Sequence, residues 1–121
     1  MNAGEHRWTV RLTAAAEADF REILRWTLAQ FGERQTRVYA DTLSAALRDL
    51  VAGPTIPGTR NRDEIAKGIF SLHVARKGRK GRHFVMFRVT HDQRSDVIEV
   101  LRLMHDAMDL PRHLPPSDDS T

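Results

Sequence analysis

Cysteine is absent from this 121-residue chain. That excludes disulfides, thiolate metal sites and cysteine nucleophiles together, and it suits a reducing compartment. No apolar run reaches the roughly 20 residues that a membrane-spanning helix needs, so no membrane partner is expected. The first residues, Met1 to Arg7, lack the apolar stretch of a signal peptide. The cytoplasm is the expected location. No P-loop, dinucleotide fingerprint or nucleophile elbow is present, so no cofactor is expected. Six histidines are present but no His-Glu-X-X-His pattern, and no metal site is expected either. Tyrosine is nearly absent as well: Tyr39 is the only one.

What remains is the composition of a soluble globular chain, with 40% hydrophobic and 29% charged residues. The length suits one domain spanning residues 1–121, with an ordered core of about 7–114 and a polar tail from Pro115 to Thr121. Net charge is +3, unevenly placed. Residues 1–53 carry seven basic and seven acidic side chains, whereas residues 54–113 carry twelve basic and seven acidic ones. Two readings of that second half stand side by side. One is a surface for an anionic partner or a nucleic-acid-handling machine, the other an ordinary solubilising surface.

Trp8-Thr9-Val10-Arg11-Leu12 alternates apolar and polar residues, as a half-buried strand does. Thr13 reads as the N-cap of a helix, with Glu17, Asp19 and Glu22 early in it, where the helix dipole favours acids. Ala16, Phe20, Ile23, Leu24, Thr27 and Phe31 form its apolar stripe, and Gly32 ends or kinks it. A second run places Tyr39, Leu43, Ala46, Leu47 and Leu50 on one face, and Gly53-Pro54 stops it. The spacing therefore predicts a helical hairpin. Residues 53–68 read as a loop. Three strands follow, over Ile69–Ala75, His83–Val89 and Asp96–Met104, and short turns between them predict an antiparallel meander. The expected class is α+β: an N-terminal strand, a helical hairpin, and a three-stranded meander in one sheet. The helices cover one face, and a short C-terminal extension follows. The other face is expected to be partly polar, through Arg88, Glu99 and Arg102, and to receive a partner.

Arg76-Lys77-Gly78-Arg79-Lys80-Gly81-Arg82 carries five positive charges on a glycine-rich turn. It reads either as a mobile phosphate-contacting loop or as a solvated hairpin tip that discourages edge pairing. The same choice applies to Arg60 and Arg62. His105 is a candidate acid–base group, or a histidine bonding the local backbone. Trp26 sits at the rim of the first apolar stripe and Val38 points away from the second, which reads either as a surface for a partner helix or strand or as simple coverage of a loop by Trp26.

Three strings resemble the RelE/ParE superfamily of bacterial toxins from type II toxin–antitoxin pairs, closest to its ParE branch. They are Leu12 to Ile23, Phe31 to Tyr39 and Val100 to Leu110, and they stand in the family's order. The resemblance implies a co-encoded antitoxin, of the ribbon-helix-helix DNA-binding kind, that restrains the protein and links it indirectly to operator DNA. The antitoxin is expected on Ile23, Trp26 and Val38. ParE-type toxins poison DNA gyrase, and RelE-type toxins cut messenger RNA on the ribosome. The nuclease branch often carries a C-terminal tyrosine and a strand arginine. Here the only tyrosine is Tyr39 in the second helix, Phe84 stands at the arginine position, and Phe87 replaces the superfamily's frequent tyrosine on that strand. The resemblance thus favours a non-catalytic gyrase inhibitor. Its expected target-binding residues are Arg60, Arg62, Arg76, Lys77, Arg79, Lys80, Arg82, Arg102, His105 and Met108. The alternatives are a ribosome-dependent endoribonuclease using Arg82, Arg88 and His105, or a toxin-like module that serves only as the antitoxin's co-repressor.

Overall fold

The computed structural model describes residues 7–92 and 95–107. Strand β1 (Thr9–Leu12) is followed by helix α1 (Ala14–Asp49) and a 3-10 turn (Leu50–Ala52). Then come β2 (Thr59–Asn61), β3 (Phe70–His73), β4 (His83–Asp92) and β5 (Ser95–His105). All five strands join one sheet in the order β1-β5-β4-β3-β2. β1 runs parallel to β5, and the other neighbours are antiparallel. The class is α+β, and the meander of β3, β4 and β5 is as expected. Met108, the rest of the C-terminal extension and the polar tail lie outside the described residues.

The helical hairpin requires correction. Helical assignment runs from Ala14 to Asp49 without a connecting loop, and Gly32 alone departs from it, at φ 86° and ψ 178°. The element is one long helix with a kink, at a backbone conformation that a residue without Cβ adopts at little cost. A straight helix of 36 residues would reach about 54 Å and overshoot so small a sheet. With the kink, Ala16 from the first half shares a core cluster with Leu43 and Ala46 from the second. Thr13 starts the helix as expected: its Oγ1 accepts from the Ala16 amide at 3.1 Å and donates to the Leu101 carbonyl at 3.0 Å. One side chain thereby caps α1 and ties it to β5.

The loop expected over 53–68 contains β2, a second correction. Thr59, Arg60 and Asn61 have no apolar member to reveal a period. They become a strand because β3 has a free edge, on which Thr59 faces Leu72 and Asn61 faces Phe70.

The inner face of the sheet packs Leu72, Val85, Phe87, Ile98, Val100 and Leu103 against the helix. Burying one such side chain fully contributes roughly 1.5–3 kcal/mol. The outer face, expected to be partly polar, holds a second apolar cluster of Ile69, Met86, Leu101 and Met104, with Ile65, Ala66 and Phe84 packed on it. A register shift at Met86/Phe87 explains the pattern. It breaks the alternation along β5, so that Val100 and Leu103 both join the inner cluster while Leu101 and Met104 join the outer one. Among the described residues no helix is long and apolar enough to cross a membrane.

Candidate functional site

Strand register brings chemistry to one end of the sheet. His83 opens β4 and faces His105, which closes β5. The two rings meet edge-on with centroids 5.3 Å apart. Tyr39 reaches this point from α1, its hydroxyl 2.6 Å from His83 Nδ1, and accepts the Arg82 amide at 3.0 Å. The approach is close because Gly81 permits it: a Cβ there would stand 2.5 Å from Val74 Cγ2 and 3.0 Å from the Tyr39 ring. Asp106 closes the group. It accepts from His73 Nε2 at 3.1 Å and from Arg82 Nε at 3.1 and 3.2 Å, while its own amide donates to the Arg82 carbonyl.

Two of these bonds assign the proton of a neutral imidazole. The Ala107 amide donates to His105 Nδ1 at 3.1 Å, and the Ala75 amide donates to His73 Nδ1 at 3.0 Å. Both rings therefore carry their proton on Nε2, while one proton is shared between the Tyr39 hydroxyl and His83 Nδ1. Burial pushes His83 down to about 4, with the neighbouring His105 adding to the effect. Burial likewise raises the Tyr39 phenol, and the bond from His73 leads the causes that hold Asp106 below the usual carboxylate range. Each Nδ1 in the cluster already has a hydrogen-bond partner. It is a hydrogen-bonded bracket between strand ends, with imidazole and guanidinium edges turned to solvent.

The basic turn is not a free loop. Lys77 and Gly78 both have positive φ, 53° and 81°, and the Arg79 amide donates to the Arg76 carbonyl at 3.0 Å. That is the tight hairpin turn whose twist matches flanking strands. Asp49, in the last turn of α1, pins it, lying 3.3 Å from both Arg76 Nε and Lys77 Nζ. Arg76 is therefore mostly buried, whereas Arg79, Lys80 and Arg82 are exposed.

The other predicted residues scatter. Arg60 is exposed on the edge strand β2. Arg62 is largely buried, bonded to Glu64 at 2.7 Å and to Ser71 at 3.3 Å, and its guanidinium lies 5.7 Å from the Phe84 ring centre. Arg88 is paired with Glu99 on the outer face at 2.7 Å. It lies five strand positions from His83, about 17 Å along β4, so it does not join Arg82 and His105. Arg102 corrects an expectation outright. Instead of facing outward it grips Asp19 of α1 through Nε and Nη2, at 2.7 and 2.9 Å, and Asp19 also accepts the Leu103 amide at 3.0 Å.

On the helix, Ile23 packs partly buried against the core. Trp26 and Val38 are open, 58% and 50% exposed. Phe31, expected in the apolar stripe, is 63% exposed and packs edge-on to Trp26 at 5.8 Å. Leu28 is exposed as well, so four large apolar side chains lie open in the helix on either side of the kink. Sequence reasoning missed Tyr39, His73, His83, Asp106 and Asp49 as partners. Only the register of β4 on β5 brings His83 to His105, and no local spacing carries that signal.

Comparison with known proteins adds the relatives. Residues 10–110 match the family described as ParE toxin of type II toxin-antitoxin system, parDE. Toxin ParE1 from two strains of Mycobacterium tuberculosis is 34% identical over 103 residues, covering 85% of this chain and 94% of the relative. Among solved structures, the chromosomal ParDE system of P. aeruginosa aligns with a TM-score of 0.67 at 18% identity, over 84% of this chain and 98% of that one. The YoeB/ParE toxin of Agrobacterium tumefaciens aligns at 0.56 with 12% identity, over 80% and 96%. The RelBE2 toxin-antitoxin complex of Mycobacterium tuberculosis aligns at 0.52 with 23% identity, over 82% and 98%. At these identities the solved structures speak for the fold.

Proposed function

This chain belongs to the ParE toxin family of type II toxin–antitoxin systems, and from that premise we propose that it inhibits DNA gyrase by binding, without cutting RNA, and is neutralised by a co-encoded antitoxin. One observation carries the preference for binding. The three imidazoles at the sheet end have their Nδ1 atoms engaged by Tyr39, Ala75 and Ala107, and the neutral forms of His73 and His105 keep the proton on Nε2. A general base needs a free lone pair within reach of the proton it removes. Arg82 is exposed beside Asp106, and Arg88 pairs with Glu99 far along the strand, so the two do not converge on one reacting group.

The target surface comprises Arg79, Lys80, Arg82 and His105 at one end of the sheet, with Arg60 on the β2 edge. Met108 belongs to the same proposal through the chain that follows β5. The antitoxin takes the exposed apolar side chains Trp26, Phe31 and Val38, together with the half-buried Ile23. A ribbon-helix-helix antitoxin would then carry the complex to operator DNA.

Induced expression tests this in a bacterial host, with plasmid topology and transcript integrity read together. The expected result is loss of negative supercoiling with intact messages, relieved when the antitoxin is co-expressed. Cut messages with unchanged plasmid topology would sink the proposal. Unaffected growth and topology would instead leave the chain as a co-repressor only.

A further inference from the structure

Independently of which target is engaged, we infer that the cleft between the end of α1 and the basic turn is a binding site for a phosphate group. The cleft encloses about 240 Å³ and is lined by Ala45, Arg48, Asp49, Arg76, Lys77 and Arg79. Four cations against one carboxylate leave it a formal surplus of three positive charges. Asp49 divides itself between Arg76 and Lys77 at 3.3 Å each, longer than the roughly 2.7–2.9 Å of a well-made charge-assisted bond. Among the described residues, Arg48 and Arg79 have no acidic partner.

Arg76 adds charge rather than donors: its Nε lies near Asp49 without the geometry of a hydrogen bond, and Nε and Nη1 are shut off from solvent, Nη1 on the side of Gly58. The donors open to the cleft are those of Arg48, Lys77 and Arg79, which are exposed. One carboxylate among four cations leaves more donors than acceptors there, and the walls are fixed: the helix end supplies Arg48, and the tight turn at Lys77 and Gly78 supplies the rest. A tetrahedral phosphate offers several acceptor oxygens in a small volume, and planar guanidinium groups match it two bonds at a time. An acidic peptide needs a long track, which a cleft of six residues does not provide.

A nucleic-acid backbone and a small phosphorylated molecule both present this group, and two assays on the full chain tell them apart. Anisotropy of a labelled DNA duplex is followed over a salt series, and inorganic phosphate is titrated calorimetrically. Arg48→Ser/Arg79→Ser is compared with a charge-matched control, Arg34→Ser/Arg37→Ser, whose sites are exposed on α1. The cleft pair is expected to weaken phosphate or duplex binding ~10-fold, and for the duplex to lower the salt slope by about 1–2. The control is expected to stay within about twofold of the parent. Duplex binding that depends on the cleft assigns the site to backbone phosphate, and phosphate binding alone assigns it to a small ligand. Equal weakening by both pairs would reduce the effect to diffuse charge and overturn the inference, as would binding of neither ligand. Gyrase is absent from both assays, so failure of the gyrase reading leaves this result untouched.

Discussion

The hydroxyl of Tyr39 lies 2.6 Å from Nδ1 of His83, and it joins the second half of α1 to the first residue of β4 across 44 positions of sequence. The same oxygen accepts the Arg82 amide. One side chain therefore serves the helix, the basic turn and the strand.

Tyr39→Phe keeps the ring and deletes both bonds. It leaves His83 Nδ1 and the Arg82 amide without this partner, and the expected loss is about 1–3 kcal/mol of unfolding free energy. Urea unfolding of the purified variant measures it. A loss below about 0.5 kcal/mol, the range of an ordinary surface change, would show that Tyr39 is not the bracket described here.

His83 makes stability depend on pH. Its ordinary value of 6.5 falls to about 4 in the fold. Between those values the unfolded chain takes up a proton that the folded chain refuses. The contribution is therefore complete above pH 6.5 and is lost as pH falls toward 4. Because the ring is partly solvated, a loss on the order of 1–2 kcal/mol is expected, below the full conversion of the shift. His83→Gln should flatten the slope in this window. An unchanged slope in that variant would assign the effect elsewhere.

Arg102 and Arg88 separate a structural arginine from a surface one. Arg102→Ala breaks a bidentate pair with Asp19 that clamps α1 to β5, at an expected cost of about 1.5–3 kcal/mol. Arg88→Ala removes an open pair with Glu99 and should cost under about 1 kcal/mol. A double-mutant cycle with Asp19→Ala should show coupling for Arg102. Equal effects of the two arginines would contradict the placement.

The contrast between those arginines shows what the sequence could tell. The apolar faces were legible, because Phe70, Leu72 and Val74, and likewise Tyr39, Leu43, Ala46 and Leu50, follow simple periods into the core. Arg102 was not, since the register shift beside Phe87 moves it off the alternation that predicted an outward side chain. Thr59 to Asn61 carried no period to read, and became a strand only through the edge of β3. At Gly32 the sequence announced an interruption, but not whether a loop or a kink would make it. The site was half visible: five cations marked the turn, while Asp49, which pins two of them, looked like any acid near a helix end.

The proposed arrest of gyrase by binding can be read in a reconstituted reaction. The most direct test adds the purified chain to reconstituted gyrase and relaxed plasmid, with a parallel reaction of translating ribosomes and message. Dose-dependent loss of supercoiling is expected, weakened by Arg79→Ser/Lys80→Ser, with the message intact. Message cleaved on the ribosome while gyrase runs at full rate would contradict it.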